Sequence, residues 1–363
     1  MRIPYENLKL ANEAFYPEFR RAFDEVLDSG WFILGKQVLQ FEEEFAAFHG
    51  ASYCLGVASG LDALTLSLMA CDFPKGSEVV VPSNTYIATI LAILNAGLKP
   101  VLVEPDLRTY NINPSLIRTQ LTSKTVAVMV VHLYGKSCNM KPIQSLCAEY
   151  GLKLVEDCAQ SHDARYFGQQ TGTFGDFGCF SFYPTKNLGA LGDAGAILCK
   201  SKDHYQKLKA LRNYGSFQKY HNEYIGTNSR LDEVQAALLR IKLKKLNEIT
   251  DHKRQLASLY FKGLDPNKFI LPIKMENFRD VYHIFNVRHP ERERLKQYLA
   301  HHEIETAVHY PIPPHRQKAM QGILNGDYPI STEIHNTTLS LPISFGTTEA
   351  DVSTVIECMN QFN

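Results

Sequence analysis

From Glu13 to Gly30 the apolar residues Phe15, Phe19, Ala22, Phe23, Val26 and Leu27 recur at helical spacing, and Gly30 follows as a stop signal. That pattern predicts an amphipathic helix with one apolar stripe. A second helix is predicted near Gln37 to Phe48, ending at Gly50. Beyond it the period changes. Short apolar runs at Tyr53–Val57, Glu78–Val81, Pro100–Val103, Thr125–Val131 and Lys153–Val155 alternate with segments of helical length and period. The runs are continuous rather than polar-alternating, as expected of strands covered by helices on both faces. Such alternation predicts βαβ units and an α/β fold with a mostly parallel sheet. Two further runs, Gly178–Phe182 and Ala194–Cys199, add strands around a glycine-rich loop. A long helical stretch is then predicted from Arg230 to Tyr260, with Leu231, Val234, Ala237, Leu238 and Ile241 on one face and the stripe first turning polar at Lys245. After Asp265 the spacing shifts to strand and helix pieces joined by proline-rich turns, among them Tyr310-Pro-Ile-Pro-Pro314, which suits a smaller C-terminal α+β domain.

Length and composition bound this picture. A chain of 363 residues exceeds one core, so two domains are expected, a large α/β domain over 1–250 and the smaller one over 251–363. Apolar residues at 45% and charged residues at 21% belong to a globular protein. Basic and acidic residues balance at 38 each, so no net field favours nucleic acid or an anionic membrane, and any anion must be held by local geometry. The eight cysteines include no CxxC pair, the histidines show no metal-ligand spacing, and no metal is expected. Reduced thiols, the absence of an apolar segment in Met1–Leu10 and the lack of a run of about 18 apolar residues predict a cytoplasmic protein with no signal peptide and no membrane span.

Ligands of α/β sheets collect at the carboxyl ends of strands, which directs attention to the residues after each apolar run. Asp157 follows one such run within Glu156-Asp-Cys-Ala-Gln-Ser-His162; alone, it reads equally well as a helix cap or a surface group. Lys186 follows another, in Ser181-Phe-Tyr-Pro-Thr-Lys-Asn-Leu-Gly-Ala-Leu-Gly-Asp193, among residues too small or too apolar to pair with it. An amine in an apolar pocket has a lowered pKa, and the neutral form condenses with an aldehyde. The ordinary alternative is a solvated loop lysine. Ser59-Gly60-Leu61, between a strand and a helix beginning near Asp62, offers backbone donors to an anion, or is simply a turn and cap.

The sequence resembles the sugar-nucleotide aminotransferases of the DegT/StrS type, within the aspartate-aminotransferase fold group. The resemblance runs over nearly the whole chain. Its fragments, in family order, are Gly30-Trp-Phe-Ile-Leu-Gly35, Ala58-Ser-Gly-Leu-Asp-Ala-Leu64, Pro82-Ser-Asn-Thr-Tyr86, His132-Leu-Tyr-Gly135, Glu156-Asp-Cys-Ala-Gln160, Ser181 through Asp193, Asn228-Ser-Arg-Leu-Asp232 and His309-Tyr-Pro-Ile-Pro313. It implies pyridoxal 5'-phosphate as cofactor, with Lys186 as the Schiff-base lysine and Asp157 as the carboxylate facing the protonated ring nitrogen. It further implies Ser59, Gly60, Leu61 and Ser181 around the phosphate, Asn228 reaching it from a neighbouring subunit, Tyr86 stacked on the ring and Gln160 at the ring hydroxyl. Lys219 and His221, in the loop Tyr214–Asn228, and His309, Tyr310 and His315 are the substrate-side candidates. Two departures stand out. Asp163 replaces a glycine that often follows His162 in the family, which puts the local turn in question, and Ala194 replaces another glycine.

A lysine at 186, where related dehydratases carry histidine, favours amino transfer. Gly60-Leu61-Asp62 resembles the C3 group acting on dTDP-3-keto-6-deoxyhexoses, with C4 transfer on a UDP- or dTDP-4-keto sugar as the alternative. Glutamate is the expected donor, and a homodimer with shared active sites the expected assembly. A competing expectation of another class is a non-catalytic regulator that binds the cofactor or a sugar nucleotide as a signal.

Overall fold

A computed structural model describes residues 2–362. Seven strands form the main sheet: β1 (Tyr53–Val57), β2 (Glu78–Pro82), β3 (Lys99–Val103), β4 (Thr125–Val131), β5 (Lys153–Asp157), β6 (Phe177–Ser181) and β7 (Gly195–Cys199). They lie side by side in the order β1-β7-β6-β5-β4-β2-β3. Strands β3, β2, β4, β5 and β6 pair in parallel, while β7 runs antiparallel to both β6 and β1. The continuous apolar runs are explained by the pleat. Val79 and Val81 of β2 enter one cluster with Leu66, Ile90, Met129 and Val155, whereas Val80 points the other way to join Val128, Val130 and Ile143. Each such side chain contributes roughly 1.5–3 kcal/mol of burial, which a strand buried on one face collects at only every second position.

Helices around and beyond this sheet include α1 (Tyr16–Ser29), α2 (Lys36–His49), α3 (Gly60–Met69), α4 (Ile87–Asn95), α5 (Glu233–Leu243) and α6 (Leu246–Gly263). Gly30 and Gly50 close α1 and α2 in the left-handed conformation, at φ 61° and 65°. The predicted α1 stripe is only partly buried. Phe19 and Val26 face inward, but Phe23 and Leu27 are exposed, as are Trp31, Phe32 and Leu39 nearby. The N-terminus of α2 is capped from a distance. The Glu233 carboxylate accepts from the N–H groups of Gly35, Gln37 and Val38 at 2.8, 2.8 and 2.9 Å, and a Cβ at Gly35 would come within 2.8 Å of it.

The predicted helix from Arg230 to Tyr260 is two helices, broken at Lys244–Lys245, where Lys245 has φ −110° and ψ 5°. The two halves serve different cores. Leu239 and Leu243 of α5 pack with Phe41 and Phe45 of α2, while Leu256, Ala257 and Tyr260 of α6 join Phe285, Leu295, Leu341, Val355 and Met359 of the C-terminal α+β domain. Ile3 belongs to that second cluster and forms a bridge with Ile304, so the N-terminal strap packs on the C-terminal part. Among the described residues no helix is long and apolar enough to cross a membrane. All eight cysteines are free thiols.

Candidate active site

The carboxyl ends of β1, β2, β5 and β6 share one edge of the sheet, and most of the chemistry-bearing side chains gather there. Asp157 is the last residue of β5 rather than the first residue after it. Its carboxylate is buried. Oδ1 accepts from the Ala159 N–H at 3.1 Å and Oδ2 from the Thr89 hydroxyl at 2.8 Å. Burial pushes the acid's pKa up, opposed by these two hydrogen bonds and by the charges of Lys186 and His132. An ionised carboxylate has about four acceptor sites. Two remain for a cationic N–H.

Behind β5, Glu156 points to the opposite face. It accepts from the N–H groups of Gly172, Phe174 and Gly175 and pairs with His132 Nε2 at 3.0 Å, while His132 Nδ1 accepts from the Cys138 N–H. Glu156, His132 and Cys158 are close enough to surround a cation. The hydrogen bonds already engage both ring nitrogens and both carboxylate oxygens, so the cluster reads as a rigid support for the end of β5.

Lys186 lies after β6 in a tight loop. A side chain at Gly189 would collide with the Pro184 carbonyl. The residue as a whole is partly exposed, but enclosure of its amine lowers the pKa to about 8, against an upward pull from Asp157. Two other buried lysines brace the loop. Lys242 of α5 donates to the Gly189 carbonyl at 2.8 Å, and Lys253 of α6 to the Asn187 side chain at 2.9 Å and the His283 carbonyl at 3.1 Å. Sequence reasoning missed both, since nothing in the helical stripe marks a lysine that turns inward.

Ser59 caps α3 through the Asp62 N–H, and Gly60 opens that helix two residues before the predicted start at Asp62. Val57 and Ser181 both pair with Gly195 of β7, which brings the α3 N-terminus beside Ser181. A Cβ on Gly60 would fall 2.6 Å from that of Ser181, and one on Gly195 would strike the Ser59 carbonyl. The result is an open cradle of backbone N–H groups and a serine hydroxyl, suited to a phosphate. Gly195 was not singled out in the sequence.

Tyr86 is half exposed at the start of α4, its ring 5.0 Å from that of Tyr310. Gln160 is buried. Its amide oxygen accepts from the Tyr134 N–H at 2.6 Å and its nitrogen donates to the Tyr310 hydroxyl at 2.8 Å. Tyr86 and Tyr310 line a cavity of about 150 Å³ with Thr85, Ile312 and Gln317. His309 is held by Ser340 at 2.8 Å, and burial with the nearby Lys186 charge lowers its pKa to about 4.

Four predicted residues lie elsewhere in this protomer. Lys219 and His221 sit on an exposed hairpin, Ser216–Gln218 with His221–Asn222, and among the described residues no hydrogen bond or ion pair ties them to Lys186 or Asp157. Asn228 is exposed and bridges to Asn213. His315 packs 4.9 Å from the Tyr328 ring and does not line the cavity at Tyr86. The turn at Asp163 resolves itself: the residue has φ 67°, a conformation that suits glycine, and its buried carboxylate holds Arg165 at 3.0 Å and Arg279 at 3.1 Å. Ala194 is buried without disturbance.

Residues 15–360 match the profile of the DegT/DnrJ/EryC1/StrS aminotransferase family. The chain is 50% identical over 361 residues to the dTDP-3-amino-3,6-dideoxy-alpha-D-galactopyranose transaminase of Aneurinibacillus thermoaerophilus, covering 99% of each. It is 42% identical to the dTDP-3-amino-3,4,6-trideoxy-alpha-D-glucose transaminase of Streptomyces venezuelae, over 94% of this chain and 91% of that one. The crystal structure of S. venezuelae DesV in complex with a ketimine intermediate superposes with a TM-score of 0.97 at 40% identity, covering 99% of this chain and 98% of the other. The fold is that of the type I pyridoxal-phosphate aminotransferases, and this chain belongs to the DegT/DnrJ/EryC1/StrS aminotransferase family.

Proposed function

We propose that the protein is a pyridoxal-phosphate-dependent aminotransferase that moves an amino group from glutamate to a dTDP-linked keto-6-deoxyhexose, at C3 of the sugar. The observation that carries the reading is the pairing of an amine brought down to about 8 with a buried carboxylate that keeps free acceptor sites, beside a phosphate-sized backbone cradle. Relatives named for 3-amino sugar products support the regiochemistry.

Bound there, the cofactor supplies an aldehyde to carry the amino group and a protonated ring to withdraw electrons. Lys186 Nζ would hold that aldehyde at rest and would move the proton at the substrate carbon as a general base and acid. Asp157 holds the proton at the ring nitrogen. The α3 N-terminus, from Ser59 to Leu61, and the Ser181 hydroxyl bind the phosphate. Tyr86 and Gln160 would hold the ring, and His309 with Tyr310 would orient the sugar. Lys219 and His221 project from their protomer on an exposed hairpin, and Asn228 lies exposed at its base. This geometry suits donation across a homodimer, where the two basic groups meet the substrate's phosphates.

Mixing holoenzyme with glutamate in a single turnover tests the enzyme reading. Loss of the cofactor's long-wavelength absorption with release of 2-oxoglutarate supports it, whereas unchanged colour rejects it in favour of a regulator that only binds. Keto sugars linked to dTDP or UDP, with the product read by mass and NMR, then decide nucleotide and carbon. A 4-amino product would overturn the C3 assignment.

A further inference from the structure

Resting on the cofactor reading above, one arrangement at the site goes beyond the roles so far assigned. Thr85 and Thr89 lie four residues apart, where α4 begins, and are both buried. Thr89 Oγ1 is 2.8 Å from Asp157 Oδ2 and 2.7 Å from Thr85 Oγ1. A threonine hydroxyl has one proton. If Asp157 is ionised it can only accept, so the Thr89 proton points at the carboxylate and the Thr85 proton must point at Thr89. The chain of donors is directional: Thr85 to Thr89 to Asp157. It reaches the carboxylate from the first turn of α4, whose N-terminal dipole adds to its pull on negative charge. Lys186 and the His132 ring also face Asp157, as does the Tyr310 hydroxyl.

An acid buried this deeply has two stable choices beside a pyridine nitrogen. It can be ionised against a protonated ring, or neutral and donating to an unprotonated one. Only the first makes the ring an electron sink. We propose that the Thr85–Thr89 hydroxyl pair is a positioning relay that selects the first state, holding Asp157 charged and fixed in rotamer so that the ring nitrogen keeps its proton. Neither threonine reaches the reacting atoms in this scheme. Both act through Asp157.

The relay is read out on the holoenzyme carrying ¹⁵N at the ring nitrogen. Wild type is expected to give a pyridinium-type signal. In Thr89→Val, which keeps shape and loses the hydroxyl, the signal moves toward neutral pyridine, and the glutamate half-reaction slows about ten- to a hundred-fold, the worth of a hydrogen bond to a charged group, while KM for glutamate stays put. Thr89→Ser restores both readouts. Thr85→Val leaves the direct bond in place and gives a smaller move in the same direction; it also carries the test should Thr89→Val not fold. A pyridinium signal and wild-type rate in either valine variant, or a serine variant as impaired as the valine one, would overturn the relay. Absence of a phosphopyridoxyl adduct on Lys186 in borohydride-treated wild type would instead overturn the cofactor reading, before any threonine variant is compared.

Discussion

The floor of the site and the layer directly beneath it present the same side chain in opposite roles. Lys186, Lys242 and Lys253 all have amines brought down to about 8 by burial. Lys242 and Lys253 are anchored, one to a carbonyl and the other to a carbonyl and an amide oxygen, and these three bonds run to the loop that carries Lys186 or to its support. Lys186 has no such anchor among the described residues, and the charge it feels is that of Asp157. Desolvation therefore does not by itself make a nucleophile. A neutral amine that is also free to swing does, and the two anchored lysines are what keep its loop still.

The comparison breaks first at Lys186. Lys186→Ala is expected to lose the phosphopyridoxyl adduct on borohydride treatment and to slow the glutamate half-reaction by about 10²–10⁴-fold, the usual worth of a positioned acid–base group, measured by rapid-mixing absorbance. The next largest effect is at its partner across the ring. Asp157→Asn removes the anion that favours the protonated ring, so kcat falls by about 10²-fold with little change in KM, as for loss of an electrostatic stabiliser. Equal losses in binding and rate would move Asp157 from chemistry to cofactor retention.

Lys253 sharpens the contrast. Its folded pKa of about 8 lies below the ordinary 10.5, so between those values the unfolded chain holds a proton that the folded one has released. Stability consequently rises with pH across that window, and the penalty at and below pH 8 amounts to at most about 3 kcal/mol. Lys253→Met is expected to retain the Lys186 adduct and to flatten the slope of urea-unfolding free energy between pH 8 and 10. An unchanged slope would show that Lys253 keeps its proton in the fold across that window. The smallest effect is expected at Asp163. Glycine there relieves a left-handed φ but releases two arginines, and these oppose each other to within about 1 kcal/mol, with activity intact. A larger loss in thermal unfolding would make the arginine cluster a structural clamp.

Most of the strands were legible because a continuous apolar run of three to seven residues, set between segments of helical period, has few other uses in a chain of this composition. The runs at Tyr53–Val57 and Thr125–Val131 match β1 and β4, and the others differ by a residue or two at their ends. The break at Lys244–Lys245 left one trace, the stripe turning polar at Lys245, but helical length and period resume beyond it, so the change of packing partner is what ends the first helix. Nor was the exposure of Phe23 and Leu27. Periodicity reports that a face is apolar, not what covers it. At the site, Lys186 and Asp157 carried enough local context to be singled out. Thr85, Thr89, Lys242, Lys253, Glu233 and Gly195 did not, since each acts on a residue far away in the chain, Thr85 through its neighbour Thr89, and none sits in an unusual local pattern.

The amino-acid sequence by itself determined where the strands and most helices fall, that they build an α/β sheet, and which lysine and carboxylate stand at strand ends. Those are local properties of periodicity, stop signals and residue chemistry. Only the tertiary structure decided that Gly195 lets the Ser59–Gly60 backbone lie beside Ser181, that two inward lysines brace the loop of a third, and that Lys219 and His221 stay outside the cleft of their own protomer. Distance, burial and the direction of a hydrogen bond arise when remote segments are packed together, and they determine which of several identical side chains is held and which is left free to react.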